Sequence, residues 1–247
     1  MSWLKIGHRG AAGTRPELTG VAFERALELG VDMIELDVQL TRDIQLVVLH
    51  DRELGRTVPA EGLVREHTLA ELCGLDAGSW YALEYAGACV PSLAEVLDLV
   101  EGRAALNVEI KSPAADWDAT AATLLDLLEA KQRLDSTVIS SFDTGALRAV
   151  RERSRAARLA VLWHLNDVDA MWLLAEGLGA DAVHPHWSLV EQPLVEHAHA
   201  RHLRVITWTV NEPETIARCA ALGVDGIISD YPERLIDVAT KHSAPGR

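Results

Sequence analysis

The sequence lacks the features that would send it into or across a membrane. None of its apolar runs is long enough to span a bilayer, and no signal-peptide pattern precedes the first strand-like segment. Its 3 cysteines, Cys73, Cys89 and Cys219, are an odd number without the spacing of a metal site. Reduced thiols of this kind are typical of a cytoplasmic protein, which is the location that we expect.

Positive charge is also scarce. Lys and Arg total 23 against 37 for Asp and Glu, which gives a formal net charge of -14. A chain this acidic repels nucleic acid and anionic membrane, so we expect neither as a partner. A small anionic substrate remains compatible with the composition, provided that its site carries local positive charge.

Short apolar runs alternate with amphipathic helical stretches along the 247 residues, which is the pattern of a parallel sheet. The predicted strands lie at Leu4–Gly7, Met33–Val38, Ala105–Ile110, Thr137–Ser141, Leu159–Trp163, Ala182–His184, Val205–Val210 and Gly226–Ser229. The predicted helices lie at Pro16–Leu29, Ser92–Val100, Trp117–Arg133, Thr144–Arg155, Val168–Glu176, Gln192–Ala200, Pro213–Leu222 and Pro232–Thr240. Eight such pairs favour an α/β fold of the TIM (β/α)₈ barrel type, in one domain over residues 1–247; an open doubly wound sheet is the alternative.

One segment interrupts this alternation. Residues Gln39 to Pro91 separate the second strand from its helix, far more than an ordinary βα loop contains. The segment holds a further strand-like run, Leu46–Leu49, which ends in His50-Asp51. We predict an insertion at about 39–91 on the catalytic face of the barrel, and not a separate domain.

Carboxylates alternate with apolar residues in the second strand. In Ile34-Glu35-Leu36-Asp37-Val38, Glu35 and Asp37 share one face, because side chains alternate across a strand. The apolar face can pack under the helices, which leaves both carboxylates pointing into the barrel mouth. Two like charges buried together are costly without a cation, so the pair predicts either a metal or a basic partner.

The third strand repeats this arrangement. Asn107, Glu109 and Lys111 share one face, so a third carboxylate and a lysine reach the same mouth. Three carboxylates form an oxygen-rich site that suits a hard cation such as Mg²⁺ or Ca²⁺. The alternative is a structural salt-bridge network between Lys111 and the carboxylates.

Two histidines follow strands of this predicted barrel. His8 ends the first strand and precedes Arg9, and His50 ends the Leu46–Leu49 run. Either histidine alone would be interpreted as structural. Together with three strand-end carboxylates, they fit a general acid and a general base around a metal-held phosphate.

These residues belong to an ordered set of motifs that resembles the glycerophosphodiester phosphodiesterase family. The motifs are Gly7-His8-Arg9-Gly10, Arg15-Pro16-Glu17, Ile34-Glu35-Leu36-Asp37-Val38, His50-Asp51, Val90-Pro91-Ser92-Leu93, Asn107-Val108-Glu109-Ile110-Lys111, Ser140-Ser141-Phe142, Trp208-Thr209-Val210-Asn211 and Ser229-Asp230-Tyr231-Pro232. They cover nearly the whole chain, and their order and spacing make the set specific.

The resemblance implies a TIM barrel that hydrolyses a small glycerophosphodiester to glycerol 3-phosphate and an alcohol. It also implies one divalent cation, which is Mg²⁺ or Ca²⁺, with Mn²⁺ as a further candidate. It further implies that the glycerol hydroxyl next to the phosphate attacks phosphorus, and that water opens the cyclic intermediate. Carried over by position, the metal ligands are Glu35, Asp37 and Glu109, the acid–base pair is His8 and His50, the phosphate ligands are Arg9 and Lys111, and the glycerol pocket contains Trp208.

The chain departs from the family pattern at two positions. Leu18 stands where the family usually has Asn after Pro-Glu, which removes an amide beside Glu17 and Arg9. Ile44 stands where the family usually has Gly after Asp43, which we interpret as a changed turn. Neither position belongs to the predicted site.

Two other functions remain open on the same barrel. One is cleavage of a lysolipid or sphingolipid, as in related enzymes of the phospholipase D type, and the other is phosphodiester binding without catalysis. We predict structural or surface roles, and not substrate contact, for His164, His184 and His186.

Overall fold

Parallel strands close into a barrel in the computed structural model, which describes residues 3–243. The strands are β1 (Leu4–His8), β2 (Met33–Leu40), β3 (Leu46–Val48), β4 (Ala105–Ile110), β5 (Thr137–Ser141), β6 (Arg158–Trp163), β7 (Ala182–Pro185), β8 (Arg204–Thr207) and β9 (Gly226–Ser229). All except β3 form the barrel, in which β1 pairs in parallel with both β2 and β9. This closure confirms the predicted TIM barrel and excludes the open sheet.

The helices are α1 (Gly20–Glu28), α2 (Leu69–Cys73), α3 (Leu93–Leu99), α4 (Trp117–Ala130), α5 (Thr144–Arg153), α6 (Val168–Leu178), α7 (Gln192–His199), α8 (Pro213–Ala221) and α9 (Pro232–Ser243). Apart from α2, which lies in the insertion, they cover the outside of the barrel. The helix α1 begins later than predicted, because Thr19 caps it by accepting a hydrogen bond from the Ala22 N–H. The sequence predicts a frayed tail from Lys241 to Arg247; α9 continues to Ser243, and residues 244–247 lie outside the described range. No helix within residues 3–243 is both long and apolar enough to cross a bilayer.

The alternation in β2 produces the two sides of the barrel wall. Ile34, Leu36 and Val38 are fully buried in the large apolar core between the strands and the helices. A smaller apolar cluster fills the barrel interior, with Ile6 and Met33 among its members. Polar side chains then follow on the same interior faces towards the C-terminal ends of the strands, so the apolar cluster forms the floor of the barrel mouth.

The insertion is anchored to the barrel through β3. This strand pairs antiparallel with β2, with Val38 opposite Val48 and Leu40 opposite Leu46. A separate apolar cluster, in which Leu72 is fully buried, fills the rest of the insertion. The Leu49 N–H donates to the Asp37 carbonyl at 3.1 Å, so the chain delivers the next residue, His50, to the end of β2.

Candidate active site

The three predicted carboxylates lie together at the C-terminal ends of β2 and β4. The register of these strands places Glu35 opposite Asn107 and Asp37 opposite Glu109. Glu35, Asp37 and Glu109 are all buried, and each offers an oxygen that lies within 4.8 Å of the others. The predicted alternation therefore produces the predicted cluster.

Two cations contact this cluster. Lys111 Nζ lies 2.6 Å from Glu109 Oε1 and 3.5 Å from Asp37 Oδ1. Arg9 Nε lies 3.2 Å from Asp37 Oδ2, and the Arg9 backbone N–H donates to Glu35 Oε2 at 3.1 Å. The salt-bridge network considered as the alternative to a metal is thus present, so the question becomes whether it neutralises the cluster.

Charge balance and pKa values indicate that the salt bridges from Arg9 and Lys111 do not neutralise the carboxylate cluster. Two cations face three carboxylates, and Asp37 Oδ2 is buried without a hydrogen-bond partner among the described residues. Burial, together with the charge of Asp37, raises the pKa of Glu35 to about 7 and the pKa of Glu109 to about 8. The protein alone therefore disfavours full ionisation of the cluster at neutral pH. Carboxylate oxygens held this closely fit a hard divalent cation, which would favour the ionised forms.

Both predicted histidines are held by a carboxylate at Nδ1. His8 Nδ1 lies 2.5 Å from Asp230 Oδ1, and His50 Nδ1 lies 2.7 Å from Asp51 Oδ1. This leaves Nε2 of each ring to exchange a proton with a bound molecule, and His8 Nε2 lies 3.7 Å from Glu35 Oε2. Burial alone would lower both pKa values. The charge of Glu35 and the bond to Asp230 outweigh it at His8, whose pKa is raised, whereas the pKa of His50 is lowered.

A cavity of about 160 Å³ opens above these groups. Its lining includes both histidines and both cations, and it also includes Glu35, Glu109 and Trp208. A second cavity of about 450 Å³ shares His50, Glu109, Lys111 and Phe142 with it and extends along the insertion. A larger cavity of about 820 Å³ lies on the outer surface between α5 and α6 and contains none of the predicted site residues. Volume alone therefore does not locate the site.

Aromatic rings form the opposite side of the mouth. Trp208 packs against Phe142 and His186 with ring centroids 5.2 and 5.3 Å apart, and Phe142 packs against His164 at 5.3 Å. The Trp208 indole N–H donates to the carbonyl of His184 at 2.7 Å, which fixes the ring. Trp208 thus lines the cavity, while His164 and His186 contact the lining rings Phe142 and Trp208.

His184 itself lies in the barrel wall. It is fully buried, and neither ring nitrogen has a partner among the described residues. Burial lowers its pKa to about 3, so the ring is neutral at physiological pH. Its structural role stays a prediction.

Four charged residues that support the site have no role that the sequence pattern alone indicates. Asp51 and Asp230 lie inside recognised motifs and hold the two histidines. Glu17 accepts a hydrogen bond from Arg9 Nη1 at 2.7 Å. Arg56 contacts both Glu17 and Asp51, and no periodic pattern singles it out, because it lies in an irregular segment of the insertion.

Leu18, at the position where the family usually has Asn, contacts Arg9 through its backbone. Leu18 is buried with φ of 58°, and its N–H donates to the Arg9 carbonyl at 3.1 Å. Arg9 also has a positive φ, of 50°. The side chains of Glu17 and Arg9 remain paired, so this contact does not require the amide.

Comparison with known proteins gives one consistent result. The model of the glycerophosphoryl diester phosphodiesterase family matches residues 8–234. A glycerophosphodiester phosphodiesterase of Caldanaerobacter subterraneus subsp. tengcongensis is 38% identical and covers 98% of this chain and 99% of its own. One of Bacillus altitudinis is 35% identical, with coverage of 94% and 96%. The structure of an Oleispira antarctica phosphodiesterase in complex with its product sn-glycerol-3-phosphate is 28% identical, has a TM-score of 0.89, and matches over 95% of this chain and 96% of that one.

Proposed function

Because the chain belongs to the glycerophosphoryl diester phosphodiesterase family, we propose that its reaction depends on one divalent cation bound by Glu35, Asp37 and Glu109. The enzyme is a phosphoric diester hydrolase that acts on glycerophosphodiesters. The proposal also names the roles of individual side chains and the products, which are glycerol 3-phosphate and an alcohol.

One observation carries this proposal. Two buried carboxylates, Glu35 and Glu109, line a cavity of about 160 Å³ together with two cations and two carboxylate-anchored histidines. Asp37 completes the cluster, with a carboxylate oxygen within 4.8 Å of the other two. A phosphodiester needs positive charge for its oxygens and proton transfer for its two alcohol oxygens. A bound Mg²⁺, Ca²⁺ or Mn²⁺ would stabilise the charge that develops on the phosphate oxygens.

The side chains divide the remaining work. We assign phosphate binding to Arg9 and Lys111, since both line the cavity and keep their charge at neutral pH. His8 and His50 transfer protons at Nε2, one from the attacking glycerol hydroxyl and one to the leaving alcohol. Water then opens the cyclic phosphate that this attack produces, with the proton transfers reversed. Trp208 packs against the glycerol carbons.

The relatives support the product side of this proposal. The Oleispira antarctica phosphodiesterase binds sn-glycerol-3-phosphate as its product, and its similarity to this chain favours the same product here. The free thiols of Cys73, Cys89 and Cys219 are compatible with the cytoplasmic location that we propose.

The experiment is a substrate panel assayed with and without a chelator. Glycerophosphocholine, glycerophosphoethanolamine and a lysophospholipid are each incubated with the protein. The released alcohol is measured together with glycerol 3-phosphate from the first two and acylglycerol 3-phosphate from the lysophospholipid. We expect turnover of the first two that chelation abolishes and added Mg²⁺, Mn²⁺ or Ca²⁺ restores. Lysophospholipid turnover alone would favour the lipid-cleaving alternative, and binding without turnover in the presence of cation would favour the non-catalytic one.

A further inference from the structure

A series of ion pairs joins the insertion to the loop that follows β1, and Arg56 lies at its centre. Its Nε donates to Asp51 Oδ2, while Nη2 and Nη1 donate to Glu17 Oε1 and Oε2 at 2.7 and 3.1 Å. These carboxylates hold cavity residues in turn, since Asp51 lies 2.7 Å from His50 Nδ1 and Glu17 accepts from Arg9 at 2.7 Å. One guanidinium thus stands behind two side chains of the proposed site.

The geometry requires the planar shape of arginine. Three N–H groups of Arg56 bond two carboxylates from different segments, and a lysine ammonium, as a point charge, cannot reproduce this planar arrangement. Both carboxylates have lowered pKa values despite partial burial, and the hydrogen bonds from Arg56 head the causes that oppose burial. They are therefore ionised and acceptor-only, as hydrogen bonding to His50 and Arg9 requires.

The side chains of the network differ in exposure. Arg56 is 45% exposed, whereas Glu17 is 12% exposed. A half-exposed ion pair contributes little to global stability, so the main effect of Arg56 should not be on folding. Its loss would instead leave Asp51 and Glu17 free to rotate, and His50 and Arg9 would lose their orientation.

We propose that Arg56 is a positioning residue that orients His50 through Asp51 and Arg9 through Glu17. The proposal rests on the proposed function, in which His50 transfers a proton and Arg9 binds the phosphate. The arm through Asp51 acts on kcat, and the arm through Glu17 acts on KM.

The test measures kcat and KM on glycerophosphocholine for Arg56→Gln, alone and in a His50→Ala background. By analogy with the outer-shell partners of metal-bound histidines, whose loss costs about tenfold to a hundredfold, we expect kcat to fall by about tenfold in the single variant, with a rise in KM through Arg9. In the His50→Ala background kcat should not fall further, while the increase in KM persists. The same fall of kcat in both backgrounds, or wild-type constants in the single variant, would overturn the proposal.

Two further variants separate the arms and do not depend on the folding of Arg56→Gln. Asp51→Asn should lower kcat with little change in KM, and Glu17→Gln should raise KM with little change in kcat; the reverse pattern would contradict the assignment. Arg56→Lys should stay well below wild-type kcat, and full recovery would show that charge alone suffices.

Arg42→Gln is the matched control. Arg42 is exposed in the same insertion and pairs with Glu71 at 3.3 Å, away from the cavity, so this variant should keep wild-type kinetics. A wild-type protein that hydrolyses none of the diesters with cation present would reject the proposed function itself. An active wild type with an unaffected Arg56→Gln would reject only the inference about Arg56.

Discussion

The two sides of the barrel mouth differ in whether their charges and polar groups find partners within the protein. The charged side, at the ends of β1, β2 and β4, brings three buried carboxylates together with Arg9 and Lys111 and leaves Asp37 Oδ2 without a hydrogen bond among the described residues. The aromatic side, at the ends of β5 to β8, packs Phe142 and Trp208 at 5.2 Å and ties the indole N–H to a backbone carbonyl. The charged side therefore carries charge that the described residues leave unbalanced. The aromatic side carries none, since the buried His184 of β7, whose ring nitrogens have no partner among the described residues, is neutral.

This difference suggests a division of labour. Groups whose charge is unbalanced act on the reacting phosphate, because interactions that strengthen in the transition state lower the barrier. Packed rings contact the substrate equally well before and during the reaction, so they contribute to binding. Variants of the histidines and carboxylates of the charged side should therefore change kcat. Variants of the aromatic side should change KM, as should variants that disturb only the phosphate binding assigned to Arg9.

The largest effect should come from the histidines of the charged side. His8→Ala and His50→Ala should each lower kcat by on the order of a hundredfold or more, because each removes a proton donor or acceptor. Metal binding should stay largely intact. A p-nitrophenyl phosphodiester, whose leaving group needs no proton, should rescue whichever variant lacks the acid. Near wild-type kcat on glycerophosphodiesters in both folded variants would refute the acid–base roles.

A smaller effect should come from the aromatic side. Trp208→Ala should raise KM for glycerophosphocholine by about fivefold, since an aromatic packing contact contributes about 1 kcal/mol and 1.4 kcal/mol corresponds to tenfold. Trp80→Ala, which trims an exposed tryptophan of the insertion, is the control and should change neither constant. A Trp208→Ala variant that lost kcat at unchanged KM would erase the distinction between the two sides.

Substrate size should sharpen the same comparison. Insertion residues His50, Asp51, Arg52 and Glu53 line the cavity of about 450 Å³ beside the charged side. An acyl chain lying along these charged side chains would desolvate them, whereas a short polar alcohol would not. We therefore predict a higher kcat/KM for glycerophosphocholine or glycerophosphoethanolamine than for lysophospholipids. The opposite ranking in a competition assay would count against a covering role for the insertion.

A change remote from both sides should affect stability alone. Ile44 is 51% exposed and has φ of 58°, a conformation that costs an L-residue about 1–2 kcal/mol and that glycine adopts freely. Ile44→Gly should raise the free energy of unfolding by about 1 kcal/mol and Tm by about 2–4 °C, with both kinetic constants unchanged.

Ile44→Ala is the matched control for that variant, because it trims the side chain but keeps the unfavourable backbone conformation. It should not reproduce the gain in Tm. An equal gain in the two variants would mean that the β-branched side chain, and not the backbone angle, is responsible.

The charged side was largely predictable from the sequence, because strand periodicity is local. Alternation in β2 and β4 places Glu35, Asp37 and Glu109 on the interior face whatever the rest of the chain does. The positions of His8 and His50 were predictable because each histidine stands at the end of a strand-like run. The resemblance to the family supplied their roles, which local pattern cannot provide.

The aromatic side and the supporting charges were harder to predict, because they depend on closure of the barrel. Phe142, His164, His186 and Trp208 come from four different segments and meet only when β5 to β8 lie side by side. The contact between His8 and Asp230 spans 222 residues. The end of α4 was also missed: the sequence predicts a helix to Arg133, but the helix ends at Ala130. Gln132, with a left-handed φ of 55°, cannot continue it.

The central claim is that one divalent cation neutralises the carboxylates of the charged side, and a metal titration tests it most directly. The protein is stripped with a chelator and dialysed, and Mg²⁺ or Mn²⁺ is added while bound metal per chain and turnover of glycerophosphocholine are measured together. We predict that turnover rises from zero in proportion to bound metal and saturates at one ion per chain, and that Asp37→Asn weakens binding and turnover together. Full turnover in a verified metal-free preparation would contradict the account.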